Sequence, residues 1–157
     1  MGSLWWTYAL DADLLRLAIP ALELIGAGIN FIMFYEVISQ LVRAPNNVVV
    51  AFIDAQASPQ LLLKTGTTSP VMARVLNRIR SLKQYVNLKG KIAVAHTRGE
   101  GNDASDCTSR GKFEELEAYC SQTGVKSMTL AISSEVHEFV RGILSDLRED
   151  GFFPQQS

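Results

Sequence analysis

From Leu17 to Tyr35 the chain is almost unbroken apolar sequence, interrupted by Glu23 and Asn30 and carrying Pro20 near its start. A run of this length has two fates: it spans a bilayer, or it becomes the buried centre of a folded domain. A carboxylate within a span costs roughly 3 kcal/mol on insertion, so Glu23 favours the buried helix. The helical pattern starts at Pro20, where a missing N–H does no harm. Its apolar side chains (Leu22, Leu24, Ile25, Ile29, Phe31, Ile32, Phe34, Val37, Ile38 and Leu41) lie almost all the way round. The spacing predicts a largely buried helix ending near Arg43, before the loop signal Ala44-Pro45-Asn46-Asn47.

The β-branched run Val48–Ile53 follows, and reads as a central strand buried on both faces. Asp54 comes directly after it. Ser69-Pro70 predicts an N-cap and first helical residue, for a helix through Val71, Val75, Leu76, Ile79 and Leu82 that Lys89-Gly90 breaks. Lys91–His96 is a second short strand, and Thr97–Ala104 a Gly-rich polar loop. Ser105 or Asp106 opens another helix, which continues through Phe113–Tyr119. Trp5–Leu10 is a candidate edge strand, and Val125–Ile132 another strand. A final amphipathic helix runs from Ser133-Ser134-Glu135 to about Asp150, with Val136, Phe139, Val140, Ile143, Leu144 and Leu147 at helical spacing. Helices alternating with strands predict an α/β chain with a parallel component in its sheet.

At 157 residues, 47% hydrophobic, the chain is the size of one domain. Its net charge of −1 leaves no overall electrostatic footprint for nucleic acid, although a local basic stripe can hide in a neutral total. The first residues, Met1-Gly2-Ser3-Leu4-Trp5-Trp6, lack the basic and apolar regions of a signal peptide. Cys107 and Cys120 form no CxxC pair, and His96 and His137 are far apart, which argues against structural zinc. Free thiols in a reducing intracellular compartment are the simplest account of both cysteines.

Three acids attract attention. Asp54 ends a strand, where functional groups gather in open α/β sheets, or else simply begins the next turn. Glu23 sits inside the apolar helix and must face solvent, find a partner or bind a cation. Asp106 lies at a helix start, where the dipole favours an acid in any case. Carboxylates converging from a helix, a strand end and a helix start would supply the hard oxygen ligands that Mg²⁺ takes. Two such ions would activate water and stabilise the leaving oxygen in phosphodiester hydrolysis, and a neutral His96 could shuttle protons.

The stretch Ala95–Asp106 resembles the C-terminal motif of ribonuclease H: a histidine at a strand end, an asparagine six residues on and an aspartate four further. His96, Asn102 and Asp106 keep both intervals. Thr108-Ser109-Arg110-Gly111 is similar to the Ser-Arg that follows in retroelement versions, those associated with reverse transcriptase. Ile19–Leu24 resembles their helix-opening motif, in which the Glu is a metal ligand. Val49–Gln56 resembles their strand ending in Asp, with Ala55 in place of a polar neighbour. The resemblance covers Trp5 to Tyr119.

The resemblance implies a three-layer α/β fold of the ribonuclease H type with a mixed central sheet, in residues 1–123, followed by a C-terminal strand, helix and tail in 124–157. It implies a Mg²⁺-dependent endonuclease cutting the RNA strand of an RNA–DNA hybrid. Glu23, Asp54 and Asp106 would be the metal ligands, His96 would assist catalysis, and Asn102 and Arg110 would contact substrate. One departure matters. The family's first metal-binding aspartate lies a few dozen residues before the helix Glu, and only 22 residues precede Glu23. The first strands are therefore expected to be missing, supplied by a reverse transcriptase or another protein, and Glu36 is the fallback if the Glu23 match is displaced. Two other readings stay open: a non-catalytic binding or assembly module, and a small membrane-associated subunit anchored by residues 17–35.

Overall fold

Pro20 in the first turn and an extended Ala18 before it start helix α1, Ile19–Met33. This is a computed structural model, and it describes residues 10–53, 69–96, 107, 110–126 and 131–153. Ala21, Leu24, Ile25, Ile29, Phe31 and Ile32 of α1 are all buried, as expected of a helix apolar on most sides. A bend of 72° separates α1 from α2, Tyr35–Leu41. Neither proline nor glycine occupies the break. Phe34 leaves helical geometry there, at φ −111° and ψ 13°. The bend brings Tyr35 to α4 (Lys83–Leu88), where its hydroxyl accepts a hydrogen bond from Asn87 Nδ2 at 2.9 Å. Phe31 meets Tyr85 edge-on, with ring centroids 5.6 Å apart. Among the described residues, no single helix is long and apolar enough to cross a membrane, although the bent pair would pass on length and composition.

Strands β1 (Val49–Ile53) and β2 (Ile92–His96) pair in parallel. Parallel neighbours need a long crossover, and α3 (Pro70–Ser81) and α4 lie in it. Ser69 caps α3 by accepting from the Met72 N–H at 3.3 Å, with Pro70 first in the helix. This is the start that Ser69-Pro70 predicts. The helix ends sooner than expected, at Ser81, because Leu82 turns extended (ψ 127°) before α4 begins.

The last helix, α6 (Ser134–Glu149), buries Val136, Phe139, Val140, Ile143, Leu144 and Leu147, the six positions picked out by spacing. It packs on α1 and α3, which also pack on each other. The approach of α1 to α6 requires a glycine. A Cβ on Gly28 would lie inside the van der Waals envelope of the Phe139 ring, 2.7 Å from Cε1 and 3.2 Å from Ile79 Cγ1 of α3.

Between α3 and α6, two arginines one helical turn apart on α3 meet two aspartates one turn apart at the end of α6. Arg74 grips Asp150 through two bonds of 2.6 Å, and Arg78 grips Asp146 at 2.6 and 2.8 Å. The Arg78 guanidinium runs across Gly142, where a Cβ would come within 2.7 Å of it. Gln84, the one buried polar side chain of this core among the described residues, donates through Nε2 to Glu135 on α6. Arg148 adds a bond to Asp13, beside the 3-10 turn Leu14–Arg16 that buries Leu14.

The Arg78 guanidinium holds the Asp146 carboxyl below its ordinary range, and Arg74 does the same to Asp150. A carboxyl with a lowered folded-state pKa contributes stability above its unfolded value, about 4, and loses it as pH falls through the folded one. Asp146→Asn should therefore cost about 1 kcal/mol at neutral pH, the upper end for a partly solvated pair. That difference should shrink steadily below about pH 4. Urea titrations of both proteins across this range check it; a deficit independent of pH would contradict it.

A second compact unit holds helix α5, Phe113–Thr123, which follows a turn at Arg110-Gly111. Cys120 is its buried residue, and Gly124 ends it in the left-handed region at φ 70°. Cys107 and Cys120 are both free thiols.

The three-layer α/β architecture with a mixed central sheet, expected from the ribonuclease H resemblance, is not what the chain forms. The described residues are mostly helical, with one two-stranded parallel sheet. The physical reason lies in what covers α1. Its apolar surface is taken up by α3 and α6. Nor is the head of the expected strand buried on both faces: Val48, just before β1, and Val50, within it, are 54% and 46% exposed. The expected strand Trp5–Leu10 lies almost wholly outside the described residues. Of Val125–Ile132, the described Val125, Lys126, Ala131 and Ile132 are not in a strand.

Candidate functional site

The carboxyl ends of β1 and β2 bring Ile53 and one sequence-predicted position, His96, to one place. In the parallel register Val49 faces Ile92, and Ile53 faces His96. Both strands thus finish level at the same edge. Asp54 follows Ile53 in the sequence. Only the backbone of His96 is described, and Asp54 lies outside the described residues. An edge of this kind is where parallel strands release their last residues into loops, the usual place for functional groups in parallel sheets.

The remaining candidates are spread out. Glu23 sits on the second turn of α1 and is half-buried. It belongs to the same compact unit as β1 and β2, and its helix packs chiefly on α3, α6, α4 and α2. Glu36, the fallback acid, is exposed in the first turn of α2. Arg110 is exposed in the turn before α5, in the second unit. Asn102 and Asp106 lie outside the described residues. Among the described residues no three His, Cys, Asp or Glu side chains gather closely enough to share a cation. Of the three acids expected to hold Mg²⁺, Glu23 alone is among them.

Sequence reasoning missed the Arg74–Asp150 and Arg78–Asp146 pairs. Their signal was present, as cations at i and i+4 on one amphipathic helix and acids at i and i+4 on another. It becomes readable only once α3 and α6 are known to pack together. Gln84 and Glu135 carried no such signal.

No family model matches the chain, and no curated protein or solved structure shows significant similarity to it.

Proposed function

We propose that the carboxyl ends of β1 and β2 carry a metal-dependent site for phosphodiester hydrolysis, acting on the RNA strand of an RNA–DNA hybrid. The observation behind this reading is the level pairing of Ile53 with His96, which ends both strands at one edge. The His96–Asn102–Asp106 spacing supports it from the sequence. Asp54 and Glu23 would offer hard oxygen ligands of the kind suited to Mg²⁺, which would supply an acidified water and a counter-charge for the phosphate.

The test is cleavage of an end-labelled hybrid by the full chain with Mg²⁺, for wild type, Asp54→Asn and Asp106→Asn. Each variant should lose about 100-fold or more in rate, the scale seen when one transition-state stabiliser is removed. Equal cleavage by Asp106→Asn would exclude that residue. Inactivity of the wild type with every divalent metal tried would sink the hydrolytic reading.

A second reading, a non-catalytic assembly module, is favoured by the exposure of Val37, Leu41, Val48 and Val50 on successive elements. Apolar side chains in sequence on a surface suit a partner better than water. Concentration-dependent mass in light scattering, with no hybrid cleavage, would support that reading instead.

A further inference from the structure

Between Val37 and His96 the sequence carries eight basic side chains and a single acid, Asp54. The near-neutral total charge conceals this bias, because the acids lie elsewhere. The structure sorts the cations by what they do. Arg74 and Arg78 are neutralised by Asp150 and Asp146. Lys83, at the first position of α4, is exposed and has no ion pair among the described residues. Arg43 and Lys89 are likewise exposed and form no ion pair or side-chain hydrogen bond among the described residues.

These two cations stand around one small region, the amino ends of the two strands. Lys91 links them: its Nζ donates to the Pro45 carbonyl at 2.9 Å, two residues from Arg43, and its N–H donates to Leu88 O at 2.9 Å, one residue from Lys89. The loop between α2 and β1 is pinned elsewhere too. Asn47 donates through Nδ2 to Leu41 O at 2.8 Å and through its N–H to Ala44 O at 3.1 Å, and Val49 N–H bonds Lys91 O. Exposed Asn46 projects from this held loop. Like charges with no ion-pair partner among the described residues repel one another, and a polyanion relieves that repulsion. Because the loop is already held, little ordering cost opposes binding.

We infer that Arg43, Lys89 and Lys91, at the amino ends of β1 and β2, form a phosphate-contacting surface for the backbone of duplex nucleic acid. It lies at the opposite end of the strands from the proposed hydrolytic site. The surface would hold and orient a hybrid through its phosphates without reading its sequence. This inference takes its ligand class from the proposed function, and its test is independent of cleavage.

The experiment measures fluorescence anisotropy of a labelled RNA–DNA hybrid with the full chain in EDTA, where metal-dependent hydrolysis is off. The variant is Arg43→Gln with Lys89→Gln; Lys91 is kept because its Nζ supports the loop. Affinity should fall about tenfold at low salt. The slope of log affinity against log salt should shrink by about two, one for each phosphate no longer neutralised. Arg43→Lys with Lys89→Arg keeps the charge and should bind like wild type. Unchanged affinity and slope in the glutamine variant would overturn the inference, as would equal loss in the charge-keeping variant. Tighter binding of wild type to phosphatidylserine vesicles than to hybrid at the same salt would overturn it in favour of a membrane surface. Hybrid binding that depends on Arg43 and Lys89, in a chain that never cleaves, would uphold the surface and refute the nuclease. Cleavage with no such dependence would do the reverse.

Discussion

Gly28→Val should destabilise the chain by about 3 kcal/mol, and Gly28→Ala by about 1 kcal/mol, in urea unfolding followed by circular dichroism. The difference follows from two opposed effects. Glycine within a helix forgoes roughly 1 kcal/mol relative to alanine, so on propensity alone both substitutions should help. At this position α1 meets the Phe139 ring of α6 and Ile79 of α3. Phe139 is 5% exposed. An added methyl must therefore push α6 outward or force Phe139 off its rotamer, which costs more than the helix gains. Valine adds two more carbons and a stiffer side chain. The contact can be isolated by pairing Gly28→Val with Phe139→Leu. The smaller side chain alone leaves a gap, but beside the introduced valine it makes room. The double variant should then be more stable than the sum of the single losses by about 1 kcal/mol or more. If Gly28→Ala is as stable as wild type, the two helices do not approach as closely as described.

Ile143→Ala should cost about 3 kcal/mol, through lost burial and an unfilled cavity. Ile143 is fully buried on α6, on the face that also carries Phe139, Val140 and Leu147. Its surroundings belong to three helices joined through α1, α3 and α6. Paired arginines and aspartates fix the spacing of α3 and α6 near this point, so the walls cannot easily close on a gap. For a chain of this size the loss corresponds to a fall of about 10 °C in melting temperature. Ile132→Ala is the control. Ile132 is 37% exposed and precedes α6, and its loss should stay within about 0.5 kcal/mol. Similar effects from both substitutions would mean that α6 is not seated in a packed core.

Several elements could be read from the sequence because their determinants are local. Ser69-Pro70 carries the cap and first turn of α3, and six apolar residues at helical spacing define the buried face of α6. Both strands follow the short apolar runs, ending at Ile53 and at His96, one residue past the second run. The layering of the fold was not legible in this way. A β-branched run such as Val48–Ile53 shows that a strand is favoured, but not what covers its faces. Val48 and Val50 turn out to be exposed. The bend at Phe34 had no proline or glycine to announce it, and Leu82 broke a helix that its composition would have continued. The candidate site was legible as a set of residues and not as a place. The alignment of Ile53 with His96 is a non-local choice of register, which depends on the whole crossover between the strands.

The unit containing α1, α3 and α6 is built from two separated stretches of chain, Leu10–His96 and Ile132–Ser157. Gly28 and Ile79 are therefore synthesised well before Phe139, the side chain that closes over them. At roughly 5–20 residues per second, a growing chain holds that apolar seam uncovered for several seconds. During this interval the seam offers a docking groove to any nascent amphipathic helix, including that of another copy. Folding of this unit therefore cannot be completed until residues 132–157 have been made.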